Sequence, residues 1–295
     1  MTIDNPGMQP PALPPTKATG REILAASWSM LKVDKQLLWI PVISAIASLI
    51  AAVILFVPGF LLGRSVGGTD DIGGYLGGAL AAFAASVVAI YFQAALIIGA
   101  NQRAEGEQPT IGGVLAAAWR LRGPILGWAL LTTTVGLAMR ALEERLGFLG
   151  KFFGFLGGLA WAIVSFLVVP VVVAEGLGPV AAVKRSSQLL RDTWGTSLRT
   201  TLRFGLLQVL VSFGLTAAFI VGIVMAFSGS VVFTTAGVVL IVAAVSAFIA
   251  VVTVFTAIST YARAVIYRYA AGLATPGVPQ AALAGAFAPK KRRRG

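Results

Sequence analysis

Residues 204–262 read FGLLQVLVSFGLTAAFIVGIVMAFSGSVVFTTAGVVLIVAAVSAFIAVVTVFTAISTYA, without one Asp, Glu, Lys or Arg. A bilayer core of roughly 30 Å is crossed by about 20 apolar residues in a helix, so this run is too long for one crossing and long enough for two. Ser228-Gly229-Ser230 is the natural turn between them, because small flexible residues punctuate helices. Four further uncharged runs occupy 36–63, 72–102, 123–139 and 152–174. The whole chain of 295 residues is 57% hydrophobic and only 12% charged, against about 25% charged in a soluble domain. Mean hydropathy is +0.88. So few charges cannot cover a water-soluble surface, and the expected class is an all-α membrane protein.

Six transmembrane helices are expected, near 37–62, 73–100, 124–140, 153–174, 204–227 and 234–260, paired as three hairpins. The third, Pro124 to Arg140, is short and carries Gly127, Gly136, Thr132, Thr133 and Thr134, so a re-entrant segment is the competing reading. Charge asymmetry decides between them. With a cytoplasmic N-terminus, six spans put 19 Lys and Arg inside and leave four outside: Arg64, Arg140, Arg145 and Lys151. Removing the third span gives 10 inside against 13 outside. Because Lys and Arg in short flanks stay cytoplasmic, six spans with both ends inside is the expected topology. Residues 1–20, with Pro6, Pro10, Pro11, Pro14 and Pro15, lack the apolar stretch of a signal peptide and read as a solvated tail. The membrane domain then covers 21–270, followed by a flexible polybasic tail over 271–295.

Each cytoplasmic segment before an outward span carries a short amphipathic stretch. Ile23–Leu31 and Val114–Leu121 align at an offset of 91, which superposes Leu24 on Leu115 and Trp28 on Trp119. A weaker third copy, Ala182–Leu190, has Ser187 at the Trp position. The chain thus reads as three units, each an interfacial helix lying flat in the acyl boundary followed by a two-helix hairpin. In the third, Leu190, Trp194, Leu198 and Leu202 form one apolar stripe, with Arg191, Arg199 and Arg203 around the rest of the same helix. Lys184, Arg185, Arg191, Arg199, Arg203 and the terminal Lys290, Lys291, Arg292, Arg293 and Arg294 are the expected contacts to anionic phospholipid. The net charge of +12 therefore points to the bilayer surface, and no nucleic-acid partner is expected.

Chemistry has few places to reside. Neither His nor Cys occurs, which removes imidazole relays, thiol nucleophiles, disulfides and the usual zinc or iron ligands. No cofactor is expected, and no catalytic or metal-binding residue stands out. Asp70-Asp71 offers too few oxygens for calcium. Glu143-Glu144 fits helical ion pairs, and Glu175 and Asp192 fit local pairing or capping. Within the spans the polar residues that most need partners are Gln93, Gln208 and Thr133, for which interhelical hydrogen bonding is the plain role. Gly73/Gly77, Gly74/Gly78 and Gly150/Gly154/Gly158 have the small-xxx-small spacing of close helix packing or dimerisation. Pro170 lies deep enough in the fourth span to kink it.

The segment Ser27-Trp28-Ser29-Met30-Leu31-Lys32-Val33-Asp34-Lys35-Gln36-Leu37-Leu38, running into Pro41-Val42-Ile43-Ser44, resembles the N-terminal signature of an uncharacterised bacterial six-span membrane protein family, a domain of unknown function. Ala182 to Trp194, with Lys184, Arg185, Ser186 and Trp194, is similar to the second recurrent motif of that family, and the likeness extends over about 20–270. The elbow-and-hairpin pattern also resembles the membrane domain of some glycerophosphodiester phosphodiesterases. The resemblance implies a fold and a location in the bacterial cytoplasmic (inner) membrane, and neither an activity nor site residues. The leading expectation is a non-enzymatic accessory or scaffold subunit, touching lipid and either a membrane-protein partner or a second copy. The alternative is a small-solute or lipid transporter. An intramembrane enzyme, restricted to Ser, Thr, Lys, Arg or carboxylates, ranks last.

Overall fold

A computed structural model describes residues 35–67, 70–193, 197–273 and 275, and within it the side chains of 35, 70, 147–149, 151, 192–193 and 197–209 are not described. The first amphipathic stretch, Ile23–Leu31, and both tails therefore lie outside the described residues. A 3-10 turn, Lys35–Leu38, leads into α1 (Trp39–Gly67), followed by α2 (Asp70–Ala104), α3 (Ile111–Arg120), α4 (Arg122–Val164), α5 (Val168–Glu175), α6 (Pro179–Thr193), α7 (Ser197–Ala226) and α8 (Val231–Ala270). No strand occurs among the described residues.

Among the described residues five helices are long and apolar enough to cross a membrane: Gln36–Gly67, Asp71–Ala104, Arg122–Leu146, Phe152–Glu175 and Val231–Ala270. They coincide with five of the six expected spans. The remaining one, 204–227, falls on α7, whose described side chains make the shorter apolar helix Leu210–Ala226. Helix boundaries also outrun the uncharged runs. The third span continues through Arg140, whose Nε meets Glu144 one turn on at 3.0 Å, and α8 continues through Arg263 and Arg268 to Ala270.

The helical backbone of α4 is unbroken, yet its two arms lie side by side. Trp128 and Trp161 stack with ring centroids 5.6 Å apart, whereas 33 positions along a straight helix would separate them by about 50 Å. The reversal lies between Glu143 and Gly150, where a Cβ on Gly150 would sit 2.8 Å from the Glu143 carbonyl oxygen. Glycine permits a similar approach between α1 and α2. A Cβ on Gly77 would stand 2.8 Å from the Phe56 carbonyl oxygen, and one on Gly63 would stand 2.8 Å from the Gly73 Cα. The descending partners of rising positions make this pair antiparallel. Likewise a Cβ on Gly237 of α8 would lie 2.6 Å from the Gly222 carbonyl oxygen of α7. The neighbouring Gly74 and Gly78 face open space, so of the two overlapping glycine pairs only Gly73/Gly77 serves the α1–α2 contact.

Packing divides the molecule in two. Its continuous core gathers the 3-10 turn (Leu37), the start of α1 (Ile40), the end of α2 (Ala94–Ile97), α3 (Val114, Ala118), the start of α4 (Ile125, Trp128), α5, α6 (Ala182, Leu189) and the end of α8 (Ala257–Tyr267). These segments all meet at the end that carries the short helices. The arms leading away from it expose large apolar side chains instead, Leu49 to Leu62 on α1 and Val231 to Val245 on α8 among them. Apolar surface of that extent in water marks an interaction face, and on helices of this length it fits hydrocarbon.

The glycine contacts give a direct test. Gly77→Leu is expected to force α1 and α2 apart, at about 1–3 kcal/mol for overpacking, and to lower the thermal midpoint in mild detergent by several degrees. Gly78→Leu, on the open face, is expected to leave that midpoint nearly unchanged.

Candidate functional site

The site is built on an irregularity. Helical structure stops at Ser165–Leu167 and resumes as α5 at Val168. Pro170 has no N–H to return to the Phe166 carbonyl, and its ring crowds the preceding turn, so the break falls just before it. The backbone groups freed there are met from another helix. Ser186 of α6, completely buried, donates its hydroxyl to the Val164 carbonyl at 2.7 Å and accepts from the Leu167 N–H at 3.2 Å. Gly176, with φ +64, ends α5 in the left-handed conformation and returns its N–H to Val172. Pro179 then opens α6, where a missing N–H is harmless.

Five polar contacts tie the elements together at this end. The Glu175 carboxylate receives Arg185 Nε at 3.0 Å and the Tyr267 hydroxyl at 3.0 Å, joining α5, α6 and α8. Arg268 reaches Glu105 in the turn after α2 at 2.8 Å. Gln36 donates to the Pro109 carbonyl at 2.7 Å, and Tyr91 donates to the Leu115 carbonyl at 2.9 Å. The short helices are thereby fastened to the bundle end by specific polar bonds as well as apolar burial.

Within this frame α1, α2 and α8 line a half-open cavity of about 280 Å³. Thr256, Ser259, Thr260 and Arg263 line it from α8 at i, i+3, i+4 and i+7, which is one helix face. Gln93 and Phe92 enter from α2, and Ser44 from the first turns of α1. Ser259 and Thr260 spend their hydroxyl protons on the carbonyls one turn back, Phe255 and Thr256. Arg263 lies across the Phe166 ring, its guanidinium carbon 5.0 Å from the centroid, so the break before Pro170 also supplies the surface on which this cation rests. The Arg263 Nε is enclosed and has no hydrogen-bond partner among the described residues. No carboxylate lines the cavity.

Residues 80–277 match DUF6159, a family of unknown function. The chain belongs to this family. No curated protein and no solved structure matches it. The matched region of this DUF6159 protein contains Gln93, Arg263 and the Ala182–Trp194 stretch, while the Ser27–Ser44 stretch lies before it.

The residues singled out from the sequence are dispersed. Gln93 lines the cavity. Thr133, on the first arm of α4, has an enclosed hydroxyl without a partner and takes no part in the cavity. Lys184 and Arg191 are exposed on α6, whereas Arg185 is engaged by Glu175. The side chains of Arg199, Arg203 and Gln208 lie outside the described residues, as do Lys290, Lys291, Arg292, Arg293 and Arg294. Of the expected stripe, Leu190 lies on α6 and Leu198 and Leu202 fall within α7, while Trp194 lies outside the described residues. Arg263 was counted in the sequence only as a cytoplasmic charge, because the last span was ended at 260. The Thr256-Ser259-Thr260-Arg263 spacing on an otherwise apolar helix was the signal that marks it. Among the described residues no group of three His, Cys, Asp or Glu comes together to hold a metal ion.

Ser186 can be tested by deletion of its hydroxyl. Ser186→Ala leaves the Val164 carbonyl and Leu167 N–H buried without a partner, at a cost of about 1–3 kcal/mol. Unfolding in detergent is expected to shift accordingly. Ser187→Ala, which removes only a bond to Val183 within the same helix, is expected to shift it far less.

Proposed function

We propose that this protein is a non-enzymatic, multi-pass component of the bacterial cytoplasmic membrane, acting as an accessory or scaffold subunit whose inner face engages anionic lipid. Six spans in three hairpins, with both ends inside, are part of this reading. The observation that carries it is the segregation of surfaces: apolar arms on one side, and at the other end a packed layer of short helices with basic side chains outward. Trp119 and Arg120 on α3 and Lys184 and Arg191 on α6 are exposed at that end. Such a pairing of aromatic and basic groups suits the head-group region, where each basic residue contributes about 1 kcal/mol on an anionic leaflet. The absence of His and Cys from the sequence supports the non-enzymatic part. A second reading, a small-solute or lipid carrier, is favoured by the polar cavity at Gln93 and Arg263.

The topology is testable without background, since the chain has no cysteine. Gln108→Cys, in the turn before α3, is expected to react with an impermeant maleimide only from the cytoplasmic side. Ser228→Cys, between α7 and α8, is expected to react only from outside. Labelling of both from one side overturns the six-span arrangement. For the role itself, in-membrane crosslinking followed by mass spectrometry is expected to recover a stoichiometric protein partner or a second copy. A chain recovered alone that moves a tracer across liposomes would transfer the assignment to the carrier reading.

A further inference from the structure

We propose that the cavity between α1, α2 and α8 is a binding site for one phosphate-class oxyanion, with Arg263 as its principal ligand. The first argument is charge. Arg268, one turn further along α8, is buried with a carboxylate, that of Glu105, at 2.8 Å. Arg263 has none. No acidic side chain lines its cavity, and its enclosed Nε is unpartnered among the described residues. Placing a cation where water is scarce costs several kcal/mol unless a counter-charge meets it. Here the fold leaves space in the place where a counter-charge belongs.

The second argument is the shape and chemistry of that space. At about 280 Å³ it has room for about nine waters at ~30 Å³ each, below the usual size of a site for a drug-sized molecule and ample for a phosphate group. Its polar lining is biased toward donation. The guanidinium has a fork of N–H groups suited to two oxygens at once, and the Gln93 amide and the Ser44 hydroxyl add neutral donors from α2 and α1. Ser259 and Thr260 have already committed their protons to carbonyls, so they shape the wall and do not compete for the anion. The Phe166 ring, its centroid 5.0 Å from the guanidinium carbon, provides a cation–π contact that braces the arginine.

A phosphodiester head group of an anionic phospholipid and free inorganic phosphate share this chemistry, and the test separates them. Full-length protein is reconstituted in nanodiscs of phosphatidylcholine with or without phosphatidylglycerol, and native mass spectrometry counts retained lipid. In parallel, protein in neutral detergent is titrated with inorganic phosphate against thermal unfolding. If the source is the bilayer, one phosphatidylglycerol per chain survives delipidation and phosphate has no effect. If the source is soluble, phosphate raises the thermal midpoint and no lipid is selectively retained. In either case Arg263→Gln is expected to weaken binding about 10- to 100-fold, as for loss of a charge-assisted hydrogen-bonding group. Gln93→Leu is expected to weaken it less, and it keeps the test decisive should Arg263→Gln fold poorly. Lys184→Gln with Arg191→Gln, on the outer surface, is expected to leave this single tight site intact, which separates it from general lipid attraction at the inner face. No retained phosphatidylglycerol and no phosphate response in the wild-type protein, or equal binding in wild type, Arg263→Gln and Gln93→Leu, overturns the proposal and leaves a merely hydrated arginine.

Discussion

The hydroxyl of Ser186 spans the break between α4 and α5, and much of the arrangement at the end with the short helices follows from that contact. A helix entering a low-dielectric region cannot leave carbonyl and N–H groups unmet. Pro170 imposes such a break, and Ser186 meets the exposed groups on both sides of it, at Val164 and Leu167. That bond holds α6 against the kink. With α6 so placed, Arg185 reaches Glu175 and Tyr267 of α8 joins them. The kink also turns Phe166 toward Arg263. A local proline defect is thus linked to the one face of α8 that carries a polar stripe.

Two packing regimes meet along the same helices. At the end with the short helices, side chains from seven helices and the 3-10 turn interlock into a single core, aided by polar bonds between segments distant in sequence. Along the arms, contact is made pairwise and relies on glycine, because hydrocarbon offers no hydrophobic drive for helices to associate and close backbone approach must supply van der Waals attraction instead. Gly77 against Phe56, Gly237 against Gly222 and Gly150 against Glu143 are three instances of this. The extent of exposed apolar surface along the arms is the expected counterpart of that division. The cavity lies where the regimes meet, lined by the first turns of α1, the later part of α2 and the polar face of α8.

Much of the architecture was legible in the residues. Runs without charge identify apolar helices because length and hydropathy alone satisfy the bilayer condition, and five of the six expected spans coincide with helices of that kind. The amphipathic stretches at 114–121 and 182–190 fall on α3 and α6. Helix ends were less legible. The third expected span stops at Arg140, yet its helix continues past that residue, which pairs with Glu144, and the last stops at 260, yet α8 continues through Arg263 and Arg268 to Ala270.

What the sequence determined by itself was the solvent of the protein and the helical form it requires: a chain this poor in charge must meet lipid, and in lipid an isolated segment satisfies its backbone only as a helix. It also excluded every chemistry that needs imidazole or thiol. The tertiary structure decided which polar groups meet. Gln93 and Arg263 are 170 positions apart, on helices whose periodicity is the same whether or not they are neighbours. Their shared cavity arises from how α1, α2 and α8 converge around the core. Pairing of Arg268 and isolation of Arg263, on one helix and of one residue type, are set by what lies opposite each of them. Composition and spacing carry no record of that.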